Sequence, residues 1–129
     1  MYKLRPMIKE LNKVFQHEMD NSSKQSIDEC MVKFKGRSTL KQYMPKKPIK
    51  RGFKIWARCD YKTGYLYQFE IYTGKGDDSM EDEGLEYNVI KLSTGLPENT
   101  MLAFDNFFTS CNLMDALYKK KYLLLARLE

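Results

Sequence analysis

Two aspartates stand where apolar neighbours give them little reason to be. Asp105 ends the apolar part of Met101–Phe108 (MLAFDNFF), where hydrophobic residues follow one another without alternation. A run of this kind suits a central strand covered on both faces. A charge buried unpaired at the end of such a strand is costly. Asp105 is therefore either the point where the strand meets water or one half of a site. Asp28 sits in Gln25–Lys35 (QSIDECMVKFK), which reads as a strand with Ile27, Met31 and Val32 as apolar positions. Alternate residues of a strand share a face, so Asp28 goes with Cys30, Val32 and Phe34. A carboxylate on that mainly apolar face calls for a partner or a task. Glu29 points the opposite way, into solvent. Two carboxylates held close together repel, and a divalent cation between them removes the repulsion. Carboxylate oxygens holding Mg²⁺ beside a phosphate are the usual arrangement for phosphoryl transfer, where two ions ~3.5–4 Å apart serve the attacking and leaving oxygens.

A second feature concerns charge. From Met31 to Cys59 the chain has no acidic residue, but it has ten basic ones. Asp77, Asp78, Glu81, Asp82, Glu83 and Glu86 then form an acidic run. A basic block of this density fits a phosphate backbone, and it equally fits a solvated surface balanced by the acidic run. Tyr43 and Met44 lie among the lysines. They suit either stacking on nucleic acid or anchoring of the loop on the core.

Other chemistries fit poorly. Cys30, Cys59 and Cys111 are widely spaced, no CxxC occurs, and His17 is the single histidine. Zinc and a disulfide framework are not expected; the thiols read as reduced and partly buried. The glycines of Thr73–Gly84 lack the Lys-Ser/Thr pair of a phosphate loop, and its carboxylates lack the ligand order of a calcium loop.

The elements that must position the two aspartates follow from periodicity. Leu4, Met7, Ile8, Leu11, Val14, Phe15 and Met19 form one stripe of a helix over Pro6–Glu18. Pro6 suits its first turn, and His17 lies near its end in a structural role. After the strand of Asp28 comes Gly36–Arg51, a long loop carrying Pro45 and Pro48. Phe53–Cys59 and Tyr65–Tyr72 alternate and form a hairpin, with Gly64 closing Asp60–Gly64. Thr73–Gly84 reads as an acidic loop. Leu85–Leu96 is a helix stopped by Gly95 and Pro97. The strand of Asp105 spans Thr100–Phe107. Thr109 or Ser110 caps a helix striped by Leu113, Met114, Leu117 and Tyr118, with Asp115 on its surface. Tyr122–Leu128 is a last strand.

This order, helix then βββαβαβ, predicts an α/β fold: a ribonuclease H-like mixed five-stranded sheet with flanking helices. In it the fourth strand lies beside the first, which sets Asp105 next to Asp28. The division expected is a leading helix over 1–20 and a sheet core over 24–129. At 129 residues the chain is one domain or part of one. No stretch approaches the ~20 apolar residues of a membrane span, and the first residues lack the apolar middle of a secretory signal. An intracellular protein, without a membrane partner, is the expectation.

Ser26–Lys75 and Phe104–Ser110 (FDNFFTS) closely resemble the piggyBac transposases and their domesticated relatives. The resemblance covers nearly the whole chain. It implies that Asp28 and Asp105 are the first two members of an Asp-Asp-Asp catalytic and metal-binding triad. It implies a nuclear, Mg²⁺-dependent enzyme that cuts DNA at transposon ends and rejoins it elsewhere, homodimeric in the intact protein. Lys35, Arg37, Lys41, Lys46, Lys47, Lys50 and Arg51 would then lie beside DNA. The family's third catalytic Asp lies beyond the last strand found here. The expectation is thus a partial catalytic domain, incomplete at its C-terminus, with weak metal affinity and negligible catalysis alone. The alternatives are a DNA-binding or protein-interaction remnant without catalysis, and an inert product.

Overall fold

The computed structural model describes residues 3–72, 85–105 and 110–127, with the backbone alone at 85–86 and 126–127. The acidic loop and the Asn106–Thr109 part of the FDNFFTS stretch lie outside the described residues.

The chain opens with helix α1 (Arg5–Glu18), with proline in its first turn. Strand β1 (Lys24–Lys33), the two-residue strand β2 (Gln42–Tyr43), strand β3 (Arg51–Asp60) and strand β4 (Leu66–Ile71) follow. Helix α2 (Leu85–Ser93), strand β5 (Met101–Asp105), helix α3 (Cys111–Lys119) and strand β6 (Leu123–Arg127) complete it. The five expected strands are all present. β2 is an addition inside the long loop, where Gln42 and Tyr43 pair with Gly52 and Arg51. Among the described residues no helix is long and apolar enough to cross a membrane.

One mixed sheet runs β2-β3-β1-β5-β6, with β4 also on β3. β1 pairs antiparallel with β3 and parallel with β5; β5 pairs parallel with β6. The fourth long strand therefore lies beside the first, as the ribonuclease H-like reading requires. The β3–β4 hairpin turns at Gly64, whose φ of 76° is left-handed and suits glycine. Asp60 fixes this turn by accepting from the Thr63 amide at 2.7 Å and the Thr63 hydroxyl at 2.6 Å.

The main core lies between the sheet and helices α2 and α3. Ile27, Trp56, Leu102 and Phe104 of the sheet meet Val89 and Leu92 of α2 and Leu113 and Leu117 of α3. Ser110 caps α3, its hydroxyl accepting from the Leu113 amide at 3.1 Å. Tyr122 ties β6 to α2 by donating to the carbonyl of Ser93 at 2.9 Å.

On β3 the face carrying Lys54, Trp56 and Arg58 is the one turned to this core. Arg58 is 1% exposed. It donates to Gln25 Oε1 and to Asn21 Oδ1 and lies over the Tyr67 ring. Burial pushes its pKa down. Helix α1 covers the opposite face at β4, where Phe15 meets Phe69 and Asn12 bonds both ways to the Phe69 backbone. The expected single stripe of α1 is only half used: Ile8 is buried, whereas Leu4, Met7 and Val14 remain exposed.

Candidate functional site

The two aspartates are positioned by strand register. β1 and β5 run parallel, with Lys24, Gln25, Ser26 and Ile27 opposite Met101, Leu102, Ala103 and Phe104. Ile27 and Phe104 are both buried. The pairing ends with Ile27 and Phe104, and Asp28 and Asp105 are the next residues on their strands. They share a face, opposite that of Ile27 and Phe104. Neighbouring paired strands lie about 4.8 Å apart. Both residues are exposed. Asp105 ends β5 and has Arg127 of β6 as its backbone partner on the other side. Asp28 lies mid-strand, where its carboxylate accepts from the Glu29 amide at 2.8 Å.

The surroundings of Asp28 correct two expectations. Its mainly apolar face is open: Cys30, expected to be partly buried, is exposed, and so is Val32. Cys111 is exposed as well, so of the three free thiols only Cys59 is partly covered. Glu29 is not solvated. It is 17% exposed and pairs with Lys54 at 2.8 Å and Lys47 at 3.8 Å. Lys47 also donates to the Glu29 carbonyl at 3.4 Å. The reason is cross-strand: Glu29 lies opposite Trp56, whose ring is covered by the Lys54 ammonium at 4.6 Å. Glu29 thereby fastens the basic loop to the sheet.

Among the described residues, no three His, Cys, Asp or Glu side chains come together as a metal cluster. The site offers two carboxylates. Asp115, on the α3 surface, is engaged with Lys119 at 3.1 Å.

The basic residues divide by place. Lys35, Lys41, Lys50 and Arg51 border a cavity of about 600 Å³ at the β2 end of the sheet. Lys33 of β1 joins them there, a neighbour that local sequence alone did not single out. Arg37 and Lys46 are exposed on the same loop, and Lys47 is held by Glu29. Gly52 lies where β1, β2 and β3 meet, and a Cβ there would collide with the Val32 carbonyl. That glycine is what lets the strands carrying the basic residues approach.

Comparison with known proteins bears on this arrangement. The family model described as Transposase IS4 matches residues 1–129. The human PiggyBac transposable element-derived protein 3 is 36% identical over 123 residues, covering 89% of this chain and 20% of its own length. The human PiggyBac transposable element-derived protein 2 is 36% identical over 126 residues, covering 92% of this chain and 21% of its own. The chain thus spans about a fifth of the length of these curated relatives. Among solved structures, a cryo-EM piggyBac transposase synaptic complex with hairpin DNA superimposes with a TM-score of 0.70 at 29% identity. That match covers 98% of this chain and 29% of the other.

Proposed function

The chain belongs to the piggyBac transposase family, and from that membership we propose that it carries the first two carboxylates of a metal-dependent DNA-cutting centre. Those residues are Asp28 and Asp105, with a basic DNA-contact surface formed by the loop between β1 and β3. The observation that carries this reading is that the exposed Asp28 and Asp105 each come one residue after the Ile27–Phe104 pair of two parallel strands. Their hard oxygens suit Mg²⁺, which when bound supplies positive charge to a phosphate under attack. Asp28 is held for this by the Glu29 amide, and Asp105 by its strand pairing with Arg127 of β6. Lys35, Arg37, Lys41, Lys46, Lys50 and Arg51 hold the DNA backbone by charge, with Lys47 adding to them from its place beside Glu29. The site of action is the nucleus, where the DNA is, and the intact protein works as a homodimer. Within the domain, α1 is the leading helix and the sheet core begins at β1.

With two carboxylates, these 129 residues hold a metal weakly and bind DNA without cutting it. A second reading, DNA binding or protein interaction with no catalysis at any stage, draws on the same geometry. It is favoured by the relatives named as transposable element-derived proteins.

A chimera separates the two. The segment replaces its counterpart in a piggyBac transposase, and supercoiled plasmid bearing transposon ends is incubated with Mg²⁺. Nicking that disappears with Asp28→Ala and with Asp105→Ala is expected. An intact, DNA-binding chimera that never nicks overturns the catalytic reading. Nicking by the 129 residues alone, lost on Asp28→Ala, overturns the two-carboxylate limit.

A further inference from the structure

The cavity at the β2 end of the sheet has a composition that backbone binding does not require. Lys33, Lys35, Lys41, Lys50 and Arg51 border it, and among the described residues that line it there is no Asp or Glu. Tyr43 also lines it and is 61% exposed, so it does not anchor the loop on the core. Tyr43 and Arg51 are cross-strand partners, and the Arg51 guanidinium lies over the Tyr43 ring at 5.0 Å. This contact holds one side of the ring and sets its orientation. Phe34 forms another wall, fixed by Phe53 at a ring separation of 4.6 Å.

We propose that this cavity is a pocket for an unpaired nucleotide, with the base stacked on Tyr43 and its phosphate held by the surrounding lysines. The proposal rests on the DNA-binding reading above and adds the form of DNA that the pocket takes. A base inside a duplex has both faces covered by its neighbours. An aromatic ring set in a cavity sized for one nucleotide can therefore stack only on an unpaired base, because a duplex end presents a whole base pair. The cavity, about 600 Å³, is in the range of small-molecule sites and takes a nucleotide, not a duplex. It is also set apart from the carboxylates. Lys33 is five residues beyond Asp28 on β1, about 17 Å at strand spacing. The pocket therefore grips a strand at a distance from the cutting centre and takes no part in the chemistry.

The test uses fluorescence anisotropy of the 129-residue chain with three labelled DNAs: a blunt duplex, the same duplex with a short single-stranded overhang, and the single strand. The overhang and the single strand are expected to bind more tightly than the blunt duplex. Tyr43→Ala is expected to weaken binding of these two by roughly 5- to 150-fold and to leave the blunt duplex within about twofold, the scatter of an exposed substitution. Tyr43→Phe keeps the stacking face and restores the preference. Lys50→Ala weakens all three. Equal affinity for blunt and overhang DNA overturns the pocket and leaves the DNA-binding reading standing, as does a Tyr43→Ala loss shared equally by all three. Absence of binding to any DNA at low salt overturns both.

Discussion

Asp28 and Asp105 each stand a single residue past the buried Ile27–Phe104 pair, the last pair of the parallel β1–β5 ladder. A slip of one residue between β1 and β5 would send one carboxylate to the helical side of the sheet. This placement can be tested directly by cross-linking. In a background with Cys30, Cys59 and Cys111 changed to Ser, Asp28→Cys with Asp105→Cys is expected to form a disulfide under mild oxidation. The ~4.8 Å between strands falls inside the Cα range of a disulfide, about 4.4–6.8 Å. Intact mass after oxidation reads the result, and thiols that stay free refute the register.

Glu29 is the counter-charge that holds the basic loop. It is largely covered and faces both Lys54 and Lys47. Removing its charge leaves the half-buried Lys54 without its carboxylate, a case between an exposed ion pair and a buried one. Glu29→Gln is expected to lower unfolding free energy by about 1–3 kcal/mol in urea. It should also quicken proteolysis within residues 36–50. Unchanged stability and unchanged cleavage would show that the loop is held by something else.

Arg58 is a buried cation whose hydrogen bonds come from neutral groups, Gln25 and Asn21. Its Nε makes no hydrogen bond among the described residues. The charge thus depends on few acceptors, and Gln25 is itself fully buried. Gln25→Leu is expected to cost about 1.5–3 kcal/mol, the worth of a hydrogen bond to a charged group. Urea denaturation measures it, and a neutral substitution would mean that Arg58 finds water or another acceptor.

Asp60 gives the fold a pH dependence. Hydrogen bonds from the Ser22 hydroxyl, the Thr63 hydroxyl and the Thr63 amide hold its carboxyl down to about 2, below its usual value. The unfolded chain therefore takes up a proton at higher pH than the folded one. The contribution is fully present above the unfolded value, about 3.9, and is lost as pH falls through about 2. Stability measured from pH 5 to pH 2 should fall less steeply in Asp60→Asn than in the unaltered chain. Parallel curves would remove Asp60 as a source of the slope.

Strand order was legible in the sequence because alternation, apolar runs and the Gly64 turn are local signals. Order alone then set the strand of Asp105 beside that of Asp28. The fate of Glu29 was not legible, because its partner Lys54 comes from another strand and is fixed only by the β1–β3 register. The same long-range pairing turns Trp56 and Arg58 inward and makes a strand of Gln42 and Tyr43. Helix α1 shows a further limit. Its stripe is clear in the sequence, but how it is shared between the sheet and solvent is a matter of its docking on β4, where Asn12 meets the Phe69 backbone.

The central claim is that Asp28 and Asp105 together hold a divalent cation. Mn²⁺, which takes the same oxygen ligands as Mg²⁺, can be titrated into the 129-residue chain and followed by its paramagnetic resonance signal. One weak site is expected, with a dissociation constant of about 0.1–1 mM, the range of the weaker carboxylate sites. It should vanish in Asp28→Asn and equally in Asp105→Asn. Binding that survives either substitution, or no binding at all in the unaltered chain, would contradict the claim.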